Sequence, residues 1–194
     1  VTCALGEKDA ITKIGSVGKP LPTVEVRIVD PAMNDVQRGN VGEIVYRGPT
    51  LMREYWNKPE ATAESFRGGW FHSGDLVRQD VDGFVYVVDR LKDMIISGGE
   101  NIYCAEVEAA LHEHPEVQEA AVIGIPHERW VEVPIAIVAL TPGSELTEVT
   151  LTDFIQDKLA RYKQPKQIRF VEALPRNASG KVAKQTLRAQ TGKF

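Results

Sequence analysis

The chain has 194 residues, enough for one medium domain or two small ones with a real core. Its 43% apolar and 26% charged residues are those of a globular protein, and a formal net charge of -4 gives no basic footprint for nucleic acid. No apolar run approaches a membrane span and no charged-then-apolar leader opens the chain. Cys3 and Cys104 fit no metal or redox spacing, so reduced thiols in a cytoplasmic protein are expected. The start, Val1-Thr2-Cys3, lacks an initiating Met and reads as the interior of a longer polypeptide.

In chain order, the first ninety residues read as strand and turn. Val24–Val29 and Gly42–Arg47 alternate with period two, separated by the turn-rich 35–40 segment. Pro59–Glu64 predicts a short helix opened by proline, and Asp82-Gly83 a hairpin turn into Phe84–Val88. After Asp89–Asp93 helices and strands alternate. Val107, Ala110 and Leu111 share a helix face that must stop near Pro115. Val117–Ile125 and Val133–Leu140 are apolar β runs. A second helix carries Leu151, Phe154, Ile155 and Leu159, with Thr150 and Asp153 as its capping pair. Ile168–Val171 predicts a strand and Val182–Arg188 a last helix. The expected class is α+β, with a small antiparallel β subdomain over 1–91, a hinge near Lys92, and a compact α+β domain over 92–194 in the order α-β-β-α-β-α.

Three polar clusters interrupt these patterns. In Trp70-Phe71-His72-Ser73-Gly74-Asp75 the backbone is expected to turn sharply and leave one carboxylate on a scaffolded edge. Its two oxygens could accept from the vicinal hydroxyls of a ribose, or Asp75 could bond its own turn. Asp89-Arg90-Leu91-Lys92-Asp93, followed by Ile95 to Ile102, is either a solvated linker or a binding segment. Gly98-Gly99 there suits close backbone approach to a ligand, or a plain hairpin. Pro175-Arg176-Asn177-Ala178-Ser179-Gly180-Lys181 fails the Walker pattern, which needs Gly where Pro175 stands and Ser or Thr where Val182 stands. What remains is a glycine turn presenting one ammonium, suited to a phosphate or a developing negative charge, unless Lys181 is simply a surface lysine. His112 and His114 are too close-set for a helical zinc pair, and no metal site is expected.

Together these segments resemble the adenylate-forming (AMP-binding) enzymes. Gly42-Glu43-Ile44 with Gly48-Pro49, Tyr55-Trp56 and Pro59–Thr62 resembles the segment preceding their nucleotide site. Phe71–Asp75 resembles their ribose-binding motif, Asp89–Ile95 through Glu100–Ile102 their hinge motif, and Pro175–Lys181 the motif of their catalytic lysine. The motifs stand in the family's order and cover most of the chain. The Gly-Gly-Glu-Asn form looks most like fatty-acyl-CoA synthetases, less like peptide-synthetase adenylation domains or luciferases. Leu91 stands where a second basic residue is common, Cys104 where Pro or Ser is, and Val131 where the family usually has Gly after its tryptophan. The last departure puts the backbone at Trp130-Val131-Glu132 in question.

The resemblance implies that Asp75 binds the ATP ribose with Arg90 assisting, and that Lys181 bridges the acid carboxylate and the α-phosphate. The small domain would then rotate about Lys92, bringing the Gly98-Gly99 face over the site for attack by the CoA thiol. Related ligases imply CoA contacts at Trp130, Tyr162 and Lys166; otherwise Trp130 packs within the small domain and Tyr162-Lys163 ends a helix. The implied substrates are ATP, CoA and a carboxylic acid, medium- or long-chain fatty by resemblance. Magnesium is expected through residues absent from this chain, as are the pyrophosphate loop, most adenine contacts and the acyl pocket. The expected partner is therefore a large N-terminal domain of the same protein, without which the 194 residues would not turn over. A cytoplasmic location is expected, at most peripheral to the inner membrane face. The rival readings are a non-catalytic nucleotide- or partner-binding module, and an adenylation domain delivering to a carrier protein. A phosphopantetheine site after Gly192-Lys193-Phe194 would favour the latter.

Overall fold

A computed structural model describes Thr2–Gln190; Val1 and residues 191–194, including the C-terminal Gly192-Lys193-Phe194, lie outside the described residues. The chain divides into two compact units, Val1–Lys92 and Asp93–Phe194.

The first unit consists of β1 (Cys3–Ala4), α1 (Asp9–Thr12), β2 (Ser16–Pro20), β3 (Glu25–Val29), β4 (Gly42–Arg47), α2 (Pro59–Ser65), β5 (Phe71–Gln79) and β6 (Val85–Arg90). The strands form one antiparallel sheet in the order β1-β2-β6-β5-β4-β3. Pro59 opens α2, where a missing N–H costs nothing. The hairpin at Asp82-Gly83 is held by Asp80, whose Oδ1 accepts from the amides of Asp82 (3.0 Å) and Phe84 (2.9 Å). Lys13 reaches both Asp80 (2.8 Å) and Asp82 (2.5 Å), and its ammonium holds the Asp80 carboxyl down at about 2. Ile44, Val77 and Val85 form the core, with Cys3, Val26, Ile28 and Tyr46 packed against it. β1 and α1 have no counterpart among the sequence expectations because they are too short to show a period, and β2 because Gly18 and Pro20 leave it no alternating apolar pattern.

The second unit contains β7 (Ile95–Ser97), β8 (Glu100–Ile102), α3 (Cys104–His112), β9 (Val117–His127), β10 (Val131–Leu140), α4 (Glu148–Gln156), β11 (Ile168–Val171) and α5 (Lys184–Gln190). β10 pairs antiparallel with β9 along nearly its whole length and parallel with β11 from Ala136 to Ala139; Val131 also meets Ser97 of β7. The β9 and β10 side chains split by parity. Ala120, Val122, Ala136 and Val138 face a core shared with Val107 and Leu111 of α3 and with Leu151 and Ile155 of α4. Ala121, Ile123, Ile135 and Ile137 face the other way, onto Leu174 and Leu187. Burial on both faces is why these strands read as unbroken apolar runs rather than alternating ones.

Several local expectations need correction. The order α-β-β-α-β-α holds for the longer elements, but the β7–β8 hairpin precedes it. Thr147, not Thr150, caps α4: its Oγ1 accepts from the Thr150 amide at 3.2 Å, which makes Thr150 the third helical residue. α4 stops at Gln156, so Leu159 is buried from the turn beyond it, and Tyr162-Lys163 ends no helix. Val182 pairs with Arg176 in an isolated bridge, which delays α5 to Lys184.

Candidate functional site

The Ser73-Gly74-Asp75 segment does not make the sharp turn that its residues suggest; it bulges within β5. Glu43 pairs with Leu76 and Val45 with His72, so Ser73, Gly74 and Asp75 together face Ile44. Ser73 Oγ donates to the Ile44 carbonyl at 2.7 Å and accepts from the Asp75 amide at 3.0 Å. Gly74 takes a φ of 71°, a left-handed conformation that glycine adopts without penalty. A bulge replaces the turn because strand pairing continues on both sides of it, and bulges re-aim side chains in this way.

Across β6 the register sets Asp75 opposite Arg90, with Arg90 Nε 3.3 Å from Asp75 Oδ1. The Asp75 side chain is 33% exposed and that of Arg90 57% exposed. A surface ion pair of this kind is worth little and can open for a ligand. Ser73, Gly74, Arg90, Leu91 and Lys92 line a cavity of about 370 Å³, and Leu91 N–H donates to the Gly74 carbonyl at 2.8 Å. Lys92, exposed in a turn, is the last residue of this unit.

Glu43 is the residue here that sequence reasoning passed over. It is buried, and both its oxygens are engaged by the bulged strand: Oε1 accepts from the Gly74 amide (3.0 Å), Oε2 lies 2.8 Å from His72 Nδ1, and Arg67 stands 3.5 Å from Oε2. The available signal was a carboxylate set between Gly42 and the apolar Ile44-Val45 within a period-two strand.

In the second unit Lys181 follows a small polar turn. Asn177 Oδ1 accepts from the amides of Ser179 and Lys181 (both 3.0 Å) and from Ser179 Oγ (2.8 Å). Asn177 N–H donates to the Lys181 carbonyl at 2.8 Å, and Gly180 takes a φ of 79°. Arg176 donates to the Gly180 carbonyl and pairs with Glu119 of β9, tying the turn to the sheet. Lys181 itself is exposed and its ammonium makes no ion pair among the described residues.

Gly98 and Gly99 form the two-residue turn of the β7–β8 hairpin, with φ of 61° and 89°. Such left-handed pairs suit the twist of a hairpin. Trp130 lies directly against it: a Cβ on Gly98 would come within 2.8 Å of the indole, and Gly98 N–H donates to the Trp130 carbonyl at 2.9 Å. Trp130 remains 38% exposed. Val131, at the position in question from the sequence, takes a φ of 70°, which is strained for a β-branched residue. Lys166 N–H donates to the Pro134 carbonyl, which places it along β10, roughly 10 Å of strand beyond Val131. Tyr162 is exposed, and the neighbouring Lys163 pairs with Glu106 of α3 at 2.6 Å. Gly98, Gly99 and Trp130 are thus brought together, while Tyr162 and Lys166 attach through separate contacts. Among the described residues no group of three or more His, Cys, Asp or Glu is arranged to hold a metal ion, and no helix is long and apolar enough to cross a membrane.

Comparison with known proteins gives consistent matches. Residues 1–56 match the family described as AMP-binding enzyme, and residues 106–181 the AMP-binding enzyme C-terminal domain. A feruloyl-CoA synthase of Amycolatopsis sp is 50% identical over 93% of this chain and 37% of its own length. The long-chain-fatty-acid–CoA ligase FadD13 of Mycobacterium tuberculosis is 44% identical over 94% of this chain and 36% of its own. Among solved structures, the o-succinylbenzoate CoA synthetase of Bacillus subtilis, in complex with its acyl-adenylate intermediate, superposes with a TM-score of 0.87. It is 41% identical and covers 95% of this chain and 37% of its own. The chain therefore spans a little over a third of the length of these relatives, whose named acids differ in kind.

Proposed function

Since this chain belongs to the adenylate-forming, AMP-binding enzyme family, we propose that it is the C-terminal portion of an ATP-dependent acid–CoA ligase. The carboxylate of the acid attacks the α-phosphorus of ATP, releasing pyrophosphate and leaving an acyl-adenylate. The CoA thiolate then attacks the acyl carbon and AMP departs. Asp75, with Arg90, holds the ribose hydroxyls in both steps. Lys181 places its positive charge between the acid carboxylate and the α-phosphate, where negative charge crowds in the transition state of the first step.

One observation carries the reading. Asp75 and Lys181 each stand at a built backbone feature, the bulge held by Ser73 and Glu43 and the turn held by Asn177 and Arg176. The backbone around each is satisfied by those neighbours, which leaves an accessible carboxylate and an accessible ammonium for a ligand. Trp130, Gly98 and Gly99, with Tyr162 and Lys166 further along the same unit, are proposed to meet CoA. Rotation about Lys92 would let the second unit serve first with Lys181 and then with the hairpin, because the two steps need different groups at one carbon. Magnesium would be held by residues outside this chain.

For the acid we propose a medium- or long-chain fatty acid, on the Gly98-Gly99-Glu100-Asn101 form and the resemblance to the long-chain ligase. The test is CoA-dependent AMP release by the parent enzyme, extended upstream of Val1, across acetate, fatty acids of increasing length, ferulate and succinylbenzoate. Preference for ferulate or succinylbenzoate would replace the fatty-acid assignment. A Lys181→Ala variant is expected to lose adenylation by about 10²–10³-fold, as when one transition-state donor is removed. No AMP release with any acid would overturn the ligase reading. The 194 residues alone are expected to release none.

A further inference from the structure

We infer that Glu43 is a positioning residue of the nucleotide site: its buried carboxylate locks the Ser73–Asp75 bulge and so sets where Asp75 presents its oxygens. The inference rests on the ribose role proposed for Asp75.

A buried carboxylate is costly unless its oxygens are hydrogen-bonded, and an apolar residue between Gly42 and Ile44 would avoid that penalty. Glu43 is 8% exposed, and what it holds is specific. The bulge takes the Gly74 amide out of strand register, and Glu43 Oε1 supplies the acceptor that amide would otherwise lack, at 3.0 Å. Oε2 faces His72 Nδ1 at 2.8 Å. A carboxylate only accepts, so Nδ1 carries the proton. His72 Nε2 is buried and meets no partner among the described residues, so the ring's polar contact is with Glu43. Arg67 stands 3.5 Å from the same oxygen and offsets its charge. Glu43 thus grips β5 on the residue before the bulge and at its middle, and the next residue is Asp75, opposite Arg90. A regular strand pair would need none of this. The carboxylate serves the bulge, and the bulge re-aims Asp75.

The test is a double-mutant cycle in the parent enzyme with Glu43→Gln, Asp75→Ala and the pair, reading KM for ATP, AMP affinity and thermal unfolding. The glutamine amide keeps an acceptor for the Gly74 N–H but sets an NH2 donor against His72 Nδ1, a contact that survives only if the imidazole moves its proton to the buried, partnerless Nε2. Glu43→Gln alone is expected to raise the KM for ATP about tenfold and to weaken AMP binding to a similar extent, with a smaller change in kcat at saturating ATP. In the Asp75→Ala background Glu43→Gln should add nothing, because it acts through a side chain already removed. Additive effects on KM, or an effect on unfolding with none on KM, would overturn the positioning role. If Asp75→Ala leaves nucleotide binding intact, the ribose reading fails first and takes this inference with it. Should Glu43→Gln not fold, Gly74→Ala replaces it in the cycle: a Cβ there meets nothing within 4 Å, yet disfavours the φ of 71° that the bulge requires.

Discussion

In Val1–Lys92 one antiparallel sheet gathers its core around Ile44, Val77 and Val85, whereas in Asp93–Phe194 strands β9 and β10 are buried on both faces under α3, α4 and α5. The first unit leaves Ile11, Ile14, Trp56 and Val81 about four-fifths exposed, while among the described residues of the second the most exposed large apolar ones are Val131 and Val149 at 69%. The candidate site residues differ in the same sense. Asp75 sits on a strand and is aimed by a buried polar network; Lys181 and the Gly98-Gly99 turn sit on exposed loops braced from a dense apolar sheet. The difference teaches that the two units use their sequence differently, one to hold a bulge in place and the other to build a rigid body that carries loops.

The comparison breaks most visibly in the cores. Leu111→Ala in the second unit should cost about 2–5 kcal/mol, against about 0.5–3 for Val77→Ala in the first. Denaturant unfolding checks this, with Trp130 reporting on the second unit in a Trp56→Phe, Trp70→Phe background. Equal losses would mean that the first core costs more per carbon removed and is at least as dense as the second.

A sharper test lies at the Trp130 contact. Gly98→Ala should destabilise the second unit, because a methyl would meet the indole at 2.8 Å on a left-handed backbone. Val131→Gly should do the opposite, by about 1 kcal/mol, since relief of left-handed strain outweighs the added chain entropy of glycine. Thermal unfolding of the two variants should move in opposite directions; a loss in Val131→Gly would show that the strain is absent.

The smallest effect belongs to the Asp80 hairpin. Its carboxyl is depressed to about 2, by Lys13 above all and despite opposing desolvation. A depressed carboxyl contributes stability above its unfolded value near 3.8 and loses it as pH falls towards 2. The first unit should therefore weaken between about pH 4 and pH 2, and Asp80→Asn should flatten that part of the acid unfolding curve.

Local patterning made the longer elements legible: the period-two runs of β3 and β4, the apolar β9 and β10, and the helix stopped before Pro115. It misled where a side-chain cap or a backbone bridge decides the end of an element. Thr147 outcompetes Thr150 as the cap of α4 because its own hydroxyl reaches the Thr150 amide. The pairing of Val182 with Arg176 holds back α5. The candidate site residues were legible as types in an order, Asp75 and Arg90 early and Lys181 late, through the motifs they share with the family, while the bulge that carries Asp75 was not.

What the sequence determined by itself was the class of the fold, the family it resembles and the polar groups proposed to carry its chemistry, since these rest on composition, period and motif. Only the tertiary structure decided how those groups are held. That Ser73–Asp75 is a bulge rather than a turn depends on Glu43, some thirty residues earlier in the chain, accepting the Gly74 amide across the sheet. That Trp130 seats on Gly98, beside a Val131 with a left-handed φ, joins the β7–β8 turn to the start of β10. Both are contacts between residues distant in sequence, and a period read along one strand has no means of recording what lies across the sheet.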